Sequence, residues 1–189
     1  MYALAAHGTP IQLPTDGKPV HFWGQLAVII GTKCENVSEQ EALSYIGAYS
    51  CANEVSTGVC ALGPVMLMPD DDGPTRTHWL NHVDPQSLSV KTTLNGRAVM
   101  ESHTSHMLLS VTQLISLFSH THTLHPGTVV LTGTPNPLGA PACLSLKDRT
   151  SVRVETIGVL SNHVVEQLHR TPDEFRADHL SYRCVSPAS

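Results

Sequence analysis

One carboxylate, Glu54, closes a stretch laid out to deliver side chains to a single point. Residues 25–54 read QLAVIIGTKCENVSEQEALSYIGAYSCANE: an apolar run, a turn, a short helix-like segment and a second apolar run ending in that acid. A metal-dependent enzyme places several acids where such runs end, because a hard dication takes several anionic oxygens. Only one acid is present here. A second candidate is Thr132-Gly133-Thr134-Pro135, which follows directly on the apolar run TVVLT. A strand ending this way is expected to leave backbone amides and two hydroxyls at a tight turn, suited to a carboxylate or phosphate oxygen. The alternative is an ordinary strand-ending turn.

Other residue types with chemical potential have plainer readings beside the functional ones. Twelve histidines are many for 189 residues, and His78 with His82, His103 with His106, and His120 with His122 and His125 are closely spaced. Zinc needs three or four converging ligands, so surface positions are the alternative for each group. Asp70, Asp71 and Asp72 lack the alternating ligand spacing and the distal glutamate of a calcium loop, and read as a solvated turn. No G-x-S-x-G motif is present, and Cys51 or Cys60 as a nucleophile competes with a buried thiol.

The elements that must position these residues follow from pattern. Leu26 to Ile30 is continuous and β-branched and predicts a strand covered on both faces. Ser38 and Glu41 have the spacing of a capping box, which predicts a helix from Glu39 with Ala42, Ile46 and Tyr49 on its buried stripe. Leu88 to Leu94 and Arg97 to Ser102 flank Asn95-Gly96, the pair that favours a type I′ hairpin turn. Thr104 or Ser105 is expected to cap a second helix, with Met107, Leu108, Val111, Leu114, Ile115 and Phe118 as its core stripe. Thr128 to Thr132 and Ser151 to Glu155 predict further strands, and Ile11 to Leu13 a short edge strand. Seven or eight short strands with two helices, and more hairpins than βαβ units, make a mostly β, α+β architecture.

Composition sets the class. The chain has 41% hydrophobic and 14% charged residues and a net charge of -5, which excludes disorder and a basic nucleic-acid groove. No apolar run reaches the ~20 residues of a membrane helix. Residues 1–14 have neither the basic start nor the apolar core of a signal peptide, so a cytoplasmic location is expected. Five cysteines without a C-x-x-C pair fit reduced, mostly buried thiols. One domain over 8–166 and a peripheral polar tail over 167–189 is the expected organisation.

Taken together, LAVIIG, NVSEQEALSYIGAYSCANEVS, LNGRAVMESHTSHMLLSVTQLISLFSHTHTLHPGTVVLTGTP and IGVLSNHVVE resemble the fumarylacetoacetate hydrolase family in content and order, over roughly residues 11–166. The resemblance implies a mixed β-roll with two main helices, usually dimeric, that binds Mg2+ or Mn2+. It also implies cleavage, decarboxylation or tautomerisation of small 2-oxo or enol dicarboxylates. The ion would chelate the 2-oxo carboxylate and hold the developing enolate charge. Family members carry a Glu-x-Glu pair before the first strand and a third acid later; here Trp23 and Gln25 occupy the pair, and only Glu54 remains acidic. Metal binding by this chain is therefore expected to be weak or absent, with Glu54 a vestigial ligand. Thr132, Gly133 and Thr134 are implied to contact substrate, and the catalytic residues stay unassigned.

The family's arginine-aspartate pair and substrate-facing lysine have no counterpart after Val55-Ser56, where TGVCALGP follows almost at once. The His/Glu lid that often precedes this region in the family has no counterpart before Gly8 either. SCANEVS and GVCALGP are similar to one branch, the first half of the bifunctional isomerase/decarboxylase of homoprotocatechuate degradation, whose metal site is implied to lie in its second half. Three readings are kept: a related domain with degenerate metal catalysis, an active metal-dependent enzyme, and a pairing subunit. A homodimer or a pair with a catalytic paralogue is expected, with no nucleic-acid or membrane partner.

Overall fold

The computed structural model describes residues 3–64, 83–134 and 142–167. Among these, ten strands form two five-stranded sheets. The strands are β1 (Ala3–Ala5), β2 (Ile11–Leu13), β3 (Phe22–Ile30), β4 (Ile46–Val55), β5 (Val59–Leu62), β6 (Ser89–Leu94), β7 (Arg97–His103), β8 (Val129–Leu131), β9 (Arg149–Val154) and β10 (Gly158–Glu166). The first sheet runs β1-β5-β4-β3-β8 and the second β2-β10-β9-β6-β7. Pairing is antiparallel except where β1 lies parallel to β5 and β2 parallel to β10. The mostly β, α+β class expected from the sequence is the class observed.

The longest ladder joins β3 to β4, from Phe22 opposite Val55 to Ile30 opposite Ile46. Side chains alternate across a strand, so Phe22, Leu26, Val28 and Ile30 turn toward the second sheet, while His21, Trp23, Gln25 and Ala27 share the other face. Leu26, Val28 and Ile30 join Tyr49, Cys51, Val90, Val152, Val154 and Leu160 in the main core, while Phe22 packs in a second cluster with Ile11, Val55 and Val164. Gly24 lets the sheets come together: a Cβ there would lie 2.1 Å from Thr92 Oγ1 and 2.9 Å from Val152 Cγ2. The hairpin of β6 and β7 turns at Asn95 (φ 53°) and Gly96 (φ 80°), the positive-φ pair that the sequence predicts.

Helical structure is less than expected, for two identifiable reasons. No α-helix starts at Glu39. The Ser38 hydroxyl bonds the Glu41 carboxylate at 2.7 Å instead of an amide, and only a 3-10 turn forms over Ala42–Tyr45. The residues expected to continue the helix, Ile46 and Tyr49, enter β4, whose ladder with β3 buries a whole strand. Gly31 and Gly47 abut there, each so close that a Cβ would fall 2.5 or 2.6 Å from the other's Cα. The second helix, α1, spans Val111–Thr121 and starts later than Thr104 or Ser105 suggests. Its cap is Ser110, which forms a reciprocal capping box with Gln113. Thr104–His106 is a separate 3-10 turn, and Leu108 is 97% exposed rather than part of a core stripe. Val111 and Ile115 do reach the core, and the Ser119 hydroxyl accepts from the Val37 amide to hold the preceding loop on the helix. Among the described residues no helix is long and apolar enough to cross a membrane.

Burial shifts the ionisable groups of this core in one direction. It raises the Cys51 thiol, raises Tyr49 with help from the Asp84 charge, and pushes Cys60 up to about 11 with the Glu54 charge as a second cause. Each stays neutral in the folded chain above the pH at which it ionises unfolded. The stability they contribute is complete below the ordinary thiol value of 9.0 and is lost as pH rises toward the folded values. Thermal melts should therefore drop by several degrees between pH 9 and pH 11, and Cys60→Ala should remove part of that drop. Gly24→Ala should cost ~1–3 kcal/mol in chemical denaturation by forcing the sheets apart.

Candidate functional site

The face of the first sheet that points away from the main core carries the predicted site. Along β3 it presents Trp23, Gln25 and Ala27; along β4, Glu54 lies opposite Trp23 and Ala52 opposite Gln25; on β5, Cys60 lies opposite Glu54. On β8, Leu131 lies opposite Ala27. Ala27, Ala52 and Cys60 form a small buried cluster, with Leu62, Val129 and Leu131 packed against it. Two neighbouring strands, β3 and β4, thus bring the three positions named from the sequence, Trp23, Gln25 and Glu54, into one patch.

At its centre is the Gln25 carboxamide, which is fully buried. Its Nε2 donates to Glu54 Oε2 at 3.0 Å, and its Oε1 accepts the Gly133 N–H at 2.5 Å. The orientation of the amide follows from its partners. Rotated by half a turn, it would set an oxygen against the carboxylate and an NH2 group against an N–H, two repulsive contacts in a buried place. One side chain therefore ties the acid on β4 to the turn after β8.

That turn is bound to β3 at each of its residues. The Thr132 hydroxyl donates to the Leu26 carbonyl at 2.9 Å, and the Thr134 hydroxyl to the Gly24 carbonyl at 3.0 Å. Gly133 takes φ +78°, a left-handed conformation that glycine adopts without strain. Thr132, Gly133 and Thr134 thus continue the β3–β8 pairing through side-chain bonds. The hydroxyl protons expected to face an anion are directed into the framework, and the Gly133 amide is directed at Gln25.

A divalent ion does not suit this donor set. Mg2+ or Mn2+ takes carboxylates and other free oxygens. The patch offers one carboxylate, an amide whose oxygen already holds an N–H, and an indole with no ligating atom. A glutamate at position 25 would place two carboxylates against each other, and a cation or a shared proton would then be needed between them. Glutamine removes that need, because its NH2 group meets the Glu54 oxygen directly.

The remaining candidates take up separate places. His103 Nδ1 lies 2.7 Å from the Ser105 hydroxyl, with its ring 6.3 Å from that of His106. His120 Nδ1 meets the Ser116 carbonyl at 2.7 Å, and His122 Nδ1 the Thr121 hydroxyl at 2.9 Å. Among the described residues no three His, Cys, Asp or Glu side chains converge to hold a metal ion. His78, His82 and Asp70–Asp72 lie outside the described residues. Cys51 and Cys60 are buried with their thiols raised, conditions that suppress the nucleophilic thiolate. Sequence reasoning did not find His21, at the head of the same row as Trp23, or Cys143 beside it, with Sγ 3.6 Å from His21 Nδ1. Only the pairing of residues 122 positions apart reveals them.

Comparison with known proteins agrees with the architecture. The family model described as fumarylacetoacetate (FAA) hydrolase C-terminal matches residues 2–58 and 56–165. Protein Rv2993c of Mycobacterium tuberculosis is 33% identical over 174 residues, covering 87% of this chain and 64% of the relative. The crystal structure of 5-carboxymethyl-2-hydroxymuconate delta-isomerase from Mycobacterium smegmatis superposes with a TM-score of 0.76 at 32% identity, covering 88% of this chain and 66% of that one. Maleylpyruvate hydrolase from Sphingobium sp. SYK-6, solved with manganese(II) and pyruvate, shares the fold at a TM-score of 0.75 and 24% identity, covering 88% of this chain and 62% of that one. This chain therefore spans a little under two-thirds of the length of these proteins. With its two sheets, the β3–β4 ladder and the model match over most of its length, it belongs to the fumarylacetoacetate hydrolase family.

Proposed function

We propose that this chain is a fumarylacetoacetate hydrolase-family domain, related to the isomerases and decarboxylases of 2-oxo and enol dicarboxylates, whose own metal centre has been replaced by a hydrogen-bonded amide. In an assembly it serves as the scaffold partner of an acid-bearing domain that holds Mg2+ or Mn2+. The observation that carries this is the Gln25 bridge from Glu54 to Gly133. The similarity to 5-carboxymethyl-2-hydroxymuconate delta-isomerase supports the substrate class, a small dicarboxylate with a 2-oxo or enol group. Glu54 is the retained acid, and Trp23 and Gln25 stand where the other ligands would be.

The chemistry left to the domain's own residues is positional. Gln25 fixes the carboxylate of Glu54 and the N–H of Gly133 relative to each other; an acid at position 25 would instead need a cation or a shared proton to lie against Glu54. The hydroxyls of Thr132 and Thr134 lock the turn to β3. No step of bond cleavage is assigned to these side chains.

Calorimetric titration of the chain with MnCl2 should give no saturable heat below ~1 mM, the range left to sites with few anionic ligands. Low-micromolar binding would overturn the proposal. Gln25→Glu alone should destabilise the chain at neutral pH by ~3 kcal/mol through an uncompensated buried charge. Trp23→Glu with Gln25→Glu should gain Mn2+ affinity and a metal-dependent rise in melting temperature. Turnover of 5-carboxymethyl-2-hydroxymuconate by the native chain, above that of free Mn2+, would favour an active enzyme instead.

A further inference from the structure

Cys143 differs from the other described cysteines. Cys34, Cys51 and Cys60 are buried, whereas Cys143 is exposed. It also has an imidazole beside it: Sγ lies 3.6 Å from Nδ1 of His21, within the reach of a thiol–imidazole hydrogen bond. The backbone sets this separation. His21 and Cys143 face each other in an isolated antiparallel bridge, and the Leu144 N–H donates to the Val20 carbonyl at 2.8 Å. Val20, Phe22 and Leu144, the buried neighbours of the pair, share one apolar cluster. On its other side His21 is clamped to Ser56: the His21 N–H donates to the Ser56 hydroxyl and the Ser56 N–H to the His21 carbonyl, both at 3.0 Å. Neither residue therefore rests on a loose loop tip.

A third group sits against the imidazole. The Trp23 ring centroid is 6.1 Å from that of His21, with the planes inclined by 41°. The indole packs beside the imidazole and limits the orientations that the ring can take. A nucleophile with a base within reach, in an orientation fixed by its neighbours, is the arrangement that activates a thiol.

We propose that Cys143 and His21 form a nucleophilic thiol–imidazole pair that takes soft carbon electrophiles of the α,β-unsaturated carbonyl class. In the addition, a new C–S bond forms from Sγ to the β-carbon and the alkene π bond breaks, its electrons moving toward the carbonyl oxygen as an enolate. The thiol proton passes to His21 Nδ1 and returns to the α-carbon, so no oxidant, reductant or metal is required. The product is a thioether on Cys143.

N-ethylmaleimide is the probe. The native chain is treated with a limiting amount at neutral pH alongside glutathione, quenched at intervals and mapped by peptide mass spectrometry. Cys143 is expected to react ~10-fold faster than glutathione, the low end of what a positioned base supplies. His21→Gln, which keeps a polar side chain without a base, should bring the Cys143 rate down to that of glutathione. A native Cys143 rate no higher than that of glutathione overturns the proposal, and this holds even if the variant does not fold. An enhanced rate that persists in a folded His21→Gln chain overturns it as well, by showing that His21 plays no part.

Discussion

A buried carboxamide that meets a carboxylate on one side and a backbone N–H on the other is the constraint on which this structure turns. Gln25 is enclosed between small residues, Ala27 and Ala52, and it can be fully buried because both ends of its amide are paired. A buried polar group left unpaired costs ~1–3 kcal/mol, and a buried unpaired charge more. The native pairing avoids both costs with a neutral group. The two strands that could gather acids around a cation, and the turn after β8, are thus joined without one.

The fold makes this possible through register. Because β3 alternates, one set of its side chains builds the inter-sheet core while the other forms the row His21, Trp23, Gln25 and Ala27. A slip of one residue would exchange the two sets. Gly24, on the inward face between Trp23 and Gln25, admits Thr92 and Val152 so closely that no side chain fits there. The close packing on one face of β3 and the buried amide bridge on the other are consequences of one strand placement. The exposed thiol of Cys143 is held beside the head of this row by a backbone bridge of its own.

Much of this architecture was legible in local sequence. The strand at Leu26–Ile30 follows from its β-branched run, and the β6–β7 hairpin from Asn95-Gly96, since these signals depend on neighbours in the chain. The helix expected at Glu39 fails because Ala42, Ile46 and Tyr49 fit a helical stripe equally well on paper, and the long-range β3–β4 ladder overrides that local preference. The start of α1 was misplaced because Thr104, Ser105 and Ser110 are all capable caps, and only Ser110 has Gln113 placed to return the bond. At the site, the sequence picks out Trp23, Gln25 and Glu54 only through the family resemblance, and the β3–β4 register brings them together. The sequence does not reveal that Gln25 bridges, because the two bonds span 29 and 108 residues. The inward turn of the threonine hydroxyls is hidden for the same reason.

The central claim is that the Gln25 amide meets Glu54 directly, where a second acid would need a cation between the two. Paramagnetic broadening tests it most directly, because Mn2+ bound at this point would erase nearby signals in a proton–nitrogen correlation spectrum. With stoichiometric Mn2+ and 15N-labelled protein, the Gln25 side-chain amide and the Gly133 backbone amide should keep their intensity. Selective loss of both signals at one equivalent of Mn2+ would contradict the account.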